Sequence, residues 1–234
     1  VLHSDGEIPL FNDAALHVAP PSATLIAAVA EECGETDARC GRSPDRATGA
    51  TEGLQRGCAA LPESGFYVLG REDGAARMIV KAGPPGPDHQ PAHAHADLFT
   101  FEFSIGAQRV IVDSGVHGYA GSAWRDYCRS TRAHNTVCLG DRDQMEMWGV
   151  FRVGRRARPQ VLEWIMSEGG ALLRVRHDGY RPVLHERCFH YDRQGCWGVA
   201  DRLIGDGGLA TSFLHFHPDV VMEESGDCWR VRVG

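Results

Sequence analysis

Lysine is almost missing from this chain. Lys81 is the single lysine among 24 basic residues, so nearly all positive charge is carried by arginine. Acidic residues outnumber basic ones by 31 to 24, a formal net charge of −7. With no basic excess and no stacking motif, nucleic-acid binding has no support. No uninterrupted apolar run approaches the roughly 20 residues of a bilayer span, so no membrane span is expected. The eight cysteines contain no CxxC pair, which removes zinc ribbons and thioredoxin-type redox motifs. Cys33–Cys40 and Cys188–Cys196 are the nearest pairs for a disulfide; the other reading is that most cysteines are small buried apolar residues. There is no internal repeat. The chain starts at Val1 and stops at the strand-like Arg230-Val-Arg232-Val-Gly234, so it reads as a fragment, and the lack of a leader carries no information on compartment.

What is present is globular. Apolar residues make up 43% and charged residues 24% of 234, which fits one domain and a remnant. The 28 glycines and 12 prolines favour many turns, hence strands over a helix bundle. Residues 1–62 open on a polar stretch, Asp5-Gly-Glu7-Ile-Pro9. A short helix is expected from Ser22, as N-cap, to about Cys33, through Leu25, Ile26 and Val29. Residues 34–60, rich in Gly, Arg, Asp and Thr, read as a long loop or linker. From Phe66 onward the pattern changes to short β-type runs at 66–69, 77–81, 98–105, 109–113, 136–139, 150–153, 172–176, 186–191, 197–200, 210–216 and 229–233. Turn signals such as Glu72-Asp73-Gly74 and Gly205-Asp206-Gly207-Gly208 separate them. This spacing predicts a mainly β chain, a large antiparallel β-sandwich.

The densest chemistry lies between Pro91 and Gly115. His93 and His95 are two apart, which on an extended chain puts both imidazoles on one side. A hairpin around Gly106 would bring Asp113 opposite residues 98–99, at the end that carries His95. Histidine and aspartate from adjacent strands suit zinc, with a third protein ligand, and His134 follows in Ala133-His134-Asn135. The plain alternative is turn and surface polarity. The HxHxD pattern also opens the metallo-β-lactamase signature, but Leu98 stands where that signature needs a histidine. A cupin wants a glutamate four or five residues after its second histidine, whereas Glu102 follows His95 by seven; a divergent cupin stays as a rival. Arg125, Arg129 and Arg132 recur at four and three residues, so on a helical turn they share a face that could hold an anionic sugar or simply face solvent. Tyr119 and Tyr127 are candidate proton donors or packing residues. His215 and His217 repeat the two-apart spacing, as a second ligand pair or as local hydrogen-bonding groups.

Taken together, His93-Ala-His95-Ala-Asp97-Leu-Phe-Thr-Phe-Glu102-Phe, then Val110-Ile-Val-Asp113-Ser-Gly, then Tyr127-Cys-Arg-Ser-Thr-Arg-Ala-His134-Asn-Thr-Val resemble the sandwich domain of heparinase II/III-like polysaccharide lyases. Asp5-Gly-Glu-Ile-Pro-Leu-Phe-Asn-Asp13 resembles the tail of that family's helical toroid. The resemblance implies a toroid tail and linker over 1–62, a short remnant of an α/α toroid, and the sandwich domain over 63–234, truncated at its C-terminus. It implies β-elimination on an acidic, uronate-containing polysaccharide by an enzyme that is periplasmic or secreted. His93 matches the catalytic histidine. His95, Asp113 and His134 match the ligands of a structural zinc, and Arg125, Arg129 and Arg132 are assigned to substrate. The rest of the catalytic set belongs to the toroid, as a partner domain of the same chain, so the isolated fragment is expected to lack lyase activity. The rival readings are a non-catalytic carbohydrate-binding sandwich, using these arginines and Trp124, and a cupin-like metalloenzyme.

Overall fold

The computed structural model describes residues 1–18, 20–25, 27, 57–71, 73–192 and 194–233. Five strands form one antiparallel sheet in chain order: β1 (Ala59–Leu61), β2 (Phe66–Gly70), β3 (Ala76–Lys81), β4 (Phe101–Ile105) and β5 (Gln108–Ile111). Successive strands pair because the turns between them are tight. Between β2 and β3, the Asp73 carboxylate accepts the Ala75 N–H and Gly74 takes φ 71°, the left-handed region open to glycine. Between β4 and β5, Gly106 takes φ 55°.

A second antiparallel sheet has the order β12-β11-β10-β9, from β9 (Pro159–Ser167), β10 (Gly170–Tyr180), β11 (Val183–Asp192) and β12 (Trp197–Ile204). Period-two alternation decides how the sheets pack. Tyr67, Leu69, Met78, Val80 and Phe101 face inward from the first sheet, and Ala171, Leu173, Val175 and Phe189 meet them from the second. Phe101 and Phe189 pack edge to face at 5.7 Å. Leu69, Val80, Leu173, Val175 and Phe189 are fully buried, each contributing about 1.5–3 kcal/mol of transfer free energy. The expected mainly β, two-sheet sandwich is therefore what the chain forms.

Smaller elements close its ends. β6 (Val137–Leu139) pairs β13 (Ala210–Ser212), and the chain then runs along β5, with Val112 N–H donating to His215 O and His217 N–H to Val110 O. β7 (Met147–Trp148) pairs β8 (Arg152–Val153), and β14 (Val220–Ser225) pairs β15 (Cys228–Val233). The helix Ala123–Arg129 is capped by Ser122, whose side chain accepts the Arg125 N–H.

Residues 1–14 lie on the outer face of the five-stranded sheet. Phe11 packs with Ala59, Val68, Ile79 and Phe66. Beside this apolar patch, His3 Nε2 lies 2.9 Å from Glu102 Oε2, Arg109 bridges Glu102 and Asp5, and Leu10 N–H donates to Glu102. Helical backbone is present at 22–25 and 27, with Pro21 O accepting the Leu25 N–H. The helix therefore starts one residue earlier than a Ser22 cap implies. Most of its expected length, the 34–60 loop apart from residues 57–60, and Cys33 and Cys40 lie outside the described residues. Cys188 and Cys196 are both free. Among the described residues, no helix is long and apolar enough to cross a membrane.

Candidate functional site

The segment from Ala94 to Thr100 is a loop, where an extended run was expected from residue 98. Phe99 reverses the chain at φ 63°, a region a bulky side chain occupies only when its surroundings hold it there. Several contacts do so. Phe99 N–H donates to Lys81 O and Lys81 N–H to Thr100 O. Leu98 N–H donates to Gln144 Oε1, while Leu98 O accepts from Thr136 and Gln144. Beyond these bonds to the end of β3, side chains satisfy the loop's backbone groups, as a buried backbone requires.

The hairpin register also differs from expectation. Ser104 pairs Arg109, but Phe103 pairs Ile111, so a bulge at Val110 advances β5 by one residue. Asp113 accordingly stands beside Thr100, whose hydroxyl donates to it at 2.7 Å.

His93 and His95 do not share an extended strand. Pro91–His93 is a turn of 3₁₀-helix, so His93 is 56% exposed while His95 is fully buried. They nevertheless converge on one carboxylate. Asp13 Oδ2 is 2.8 Å from His93 Nδ1, and Asp13 Oδ1 is 2.8 Å from His95 Nε2. Arg125 grips both oxygens of Asp13. Burial opposes the Asp13 charge, but the His95, Arg125 and His93 bonds outweigh it and hold its carboxyl well below the usual range.

Asp113 and His134 make a second, fully buried pair, with His134 Nδ1 2.9 Å from Asp113 Oδ1. Burial disfavours charge on both, yet their mutual attraction wins, lowering the Asp113 pKa and raising that of His134. The His95 ring lies 5.4 Å from the His134 ring, and burial pushes the His95 pKa down. Two ring nitrogens, His95 Nδ1 and His134 Nε2, are buried without a hydrogen-bond partner. The lone lysine is here too: Lys81 Nζ donates to Asp97 and Asn12, each at 2.5 Å. Among the described residues, no three His, Cys, Asp or Glu side chains are gathered closely enough to hold a metal ion.

The helix does put Arg125 and Arg129 on one face, but that face points inward. Both are buried. Arg125 serves Asp13 and Val150 O, and Arg129 donates to Ala94 O, Gly149 O and Arg152 O. Arg132 lies beyond the helix, half exposed, 3.6 Å from Asp141. His215 reaches Asn135 Oδ1, next to the Asp113–His134 pair, while His217 turns outward toward Asp219. Tyr119 stands edge-on to His93 at 6.1 Å and stacks on Phe151. Trp124, Trp148 and Phe151 are exposed nearby, and residues 148–152 line a surface hollow of about 360 Å³.

Sequence reasoning missed a second buried polar cluster behind this loop. Gly179 N–H donates to His177 Nδ1, so the His177 proton sits on Nε2 and is given to His185 Nδ1 at 2.9 Å. The His185 proton is then on Nε2 and is given to Asp201 at 2.7 Å. Arg187 holds both Asp201 oxygens and donates to Phe99 O and Asn135 O. Both histidines are thereby neutral, and burial pushes their pKa values down, His177 most strongly. The unfolded chain takes up these protons near pH 6.5, so the contribution to stability is complete above that pH. It is lost as pH falls from about 6.5 toward the lowered folded values, at about 1.4 kcal/mol per unit of depression. Imidazole NMR checks this. The His177 resonance should stay in the neutral form well below the ordinary range and that of His185 below it, and ordinary titration in the folded chain would sink the assignment.

The profile of the heparinase II/III-like C-terminal domain matches residues 54–233. No curated protein matches the chain. Among solved structures, a heparinase III superposes with a TM-score of 0.70 and 19% identity, over 95% of this chain and 35% of that one. Heparan sulfate lyase HepC from Pedobacter heparinus gives a TM-score of 0.68 and 23% identity, over 95% of this chain and 34% of the other. At such identities the likeness is one of fold, and the chain spans about a third of the length of each. On the family match, which runs through both sheets and the His93–His134 loops, the chain belongs to the heparinase II/III-like C-terminal domain family.

Proposed function

We propose that this chain is the sandwich part of a polysaccharide lyase that cleaves uronate-containing acidic glycans by β-elimination. The reaction needs a base for the proton beside the carboxylate, a group that neutralises the charge building on that carboxylate, and an acid for the leaving glycosidic oxygen. The observation that carries the reading is His93: a half-exposed imidazole tied through one nitrogen to a buried carboxylate, in the midst of the motif block that resembles the lyases. His93 is assigned to proton transfer, with Tyr119 beside it. The remaining catalytic groups are assigned to a toroid domain of the same protein. Arg132, which reaches solvent, is the arginine assigned to a glycan carboxylate or sulfate; Arg125 and Arg129 act as internal braces. The exposed Trp124, Trp148 and Phe151 suit the faces of sugar rings.

A structural zinc is part of this proposal. Two imidazoles beside a carboxylate are the donor types zinc prefers, and the partnerless His95 Nδ1 and His134 Nε2 are buried nitrogens that a cation would satisfy. His95 and His134 would hold it through these nitrogens, with Asp113 on the other nitrogen of His134; the three are not drawn together closely enough here to bind an ion jointly, so binding would close the loop and supply folding free energy to it. The Asp13 carboxylate on the far nitrogen of His95 is the kind of support metal-binding histidines have.

The test uses the full-length protein that contains this segment, incubated with heparan-type and alginate-type polysaccharides while unsaturated-uronate absorbance is followed and bound metal is measured. Product absorbance with about one zinc per chain is the expected result. Glycan binding without product would favour the non-catalytic carbohydrate-binding reading, for which the exposed aromatics alone suffice. The two-sheet sandwich and the family match leave the cupin reading without support.

A further inference from the structure

We infer that Asp13, on the N-terminal segment, is the positioning residue that sets the His93 tautomer, keeping the proton on Nδ1 and the lone pair on Nε2 of this half-exposed ring. This rests on the reading of His93 as the proton-transfer group. An ionised carboxylate can only accept, so the 2.8 Å contact of Asp13 Oδ2 with His93 Nδ1 requires a proton on Nδ1. In a neutral imidazole the other nitrogen then carries the lone pair. The opposite tautomer would turn a lone pair against the carboxylate.

Asp13 is held from every side. Arg125 bonds both its oxygens and His95 Nε2 takes Oδ1. The Arg125 guanidinium lies 5.6 Å from the Tyr119 ring and 5.6 Å from the Phe151 ring, and Tyr119 returns edge-on to His93. His93, Asp13, Arg125 and Tyr119 thus form a closed circuit of contacts. The segment carrying Asp13 is pinned in turn by Asn12 to Lys81 and by Asp5 to Arg109. The effect of Asp13 is on orientation and proton placement, the role of an orienting carboxylate behind a catalytic histidine.

The deciding experiment needs no substitution. In the chain labelled with ¹⁵N-histidine, above the ordinary histidine titration range, His93 should show the Nδ1–H pattern in long-range ¹H–¹⁵N correlations. An Nε2–H pattern, or averaging of the two forms, overturns the inference. In the full-length enzyme, Asp13→Asn presents an amide donor to Nδ1 and should lower kcat by about 10²-fold or more with KM held, the signature of a lost transition-state role. Full kcat in that variant overturns the inference while leaving the lyase reading intact. A full-length wild-type chain without lyase activity sinks the lyase reading, and the tautomer then still decides where Asp13 puts the proton.

Discussion

Arg187→Ala is expected to lower the stability of the folded chain by about 3–5 kcal/mol, the cost of breaking a buried ion pair by removing one partner. Arg187 is 1% exposed and is among the largest fully buried side chains. Its guanidinium holds Asp201 with two bonds from the second sheet and reaches across to Phe99 O and Asn135 O. Truncation leaves a cavity, two carbonyls without this donor and an Asp201 carboxylate facing only His185. It also frees the strained backbone at Phe99, whose ring packs 5.1 Å from His177 and 6.1 Å from His185. Asp201 is 23% exposed, so water softens the reciprocal change. Asp201→Asn should cost less, about 1–3 kcal/mol. Urea unfolding of the two variants measures the order. A loss below about 1 kcal/mol for Arg187→Ala would mean that the cluster is a solvated pair of ordinary worth.

The residues that were legible in advance are those whose neighbours in space are also neighbours in sequence. The strands β10 and β11 alternate cleanly, while β2 and β3 read as apolar runs because the N-terminal segment covers their outer face. β9 alternates poorly because much of it is exposed, and β14 because nearly all of it is. Spacing foresaw that Arg125 and Arg129 share a helix face. It had no means of telling which way that face points, because an arginine's five donors can be taken up by buried carbonyls as well as by water. His93 and His95 were legible as a pair, but a proline-started 3₁₀ turn replaced the expected strand and sent one ring outward. Asp13 was the hardest to see, since it meets its histidines across about 80 residues of chain. The only hint was its place in the Asn12-Asp13 stretch that resembles a toroid tail. Lys81 carried a different signal: a single lysine in an arginine chain, now found buried between Asp97 and Asn12.

His93→Ala in the full-length protein is expected to reduce kcat by a factor on the order of 10²–10⁴, the usual contribution of a positioned acid–base group, while leaving KM and stability nearly unchanged. The combination is what makes the variant informative. His93 is 56% exposed, and its one polar bond among the described residues is to Asp13, which keeps Arg125 and His95 when the ring is removed. Surface losses of this kind fall within about 0.5 kcal/mol. His95→Ala is the contrast, because that ring is fully buried, sits 5.4 Å from His134 and bonds to Asp13. It should lose activity through stability and bound metal together. A rate within about tenfold of wild type for a folded His93→Ala chain would remove this histidine from proton transfer. Loss of rate with loss of fold would instead place His93 with His95 among the groups that hold the loop. A clean drop in kcat, with the unfolding midpoint unmoved, is the outcome that separates a part in the reaction from a part in holding the loop.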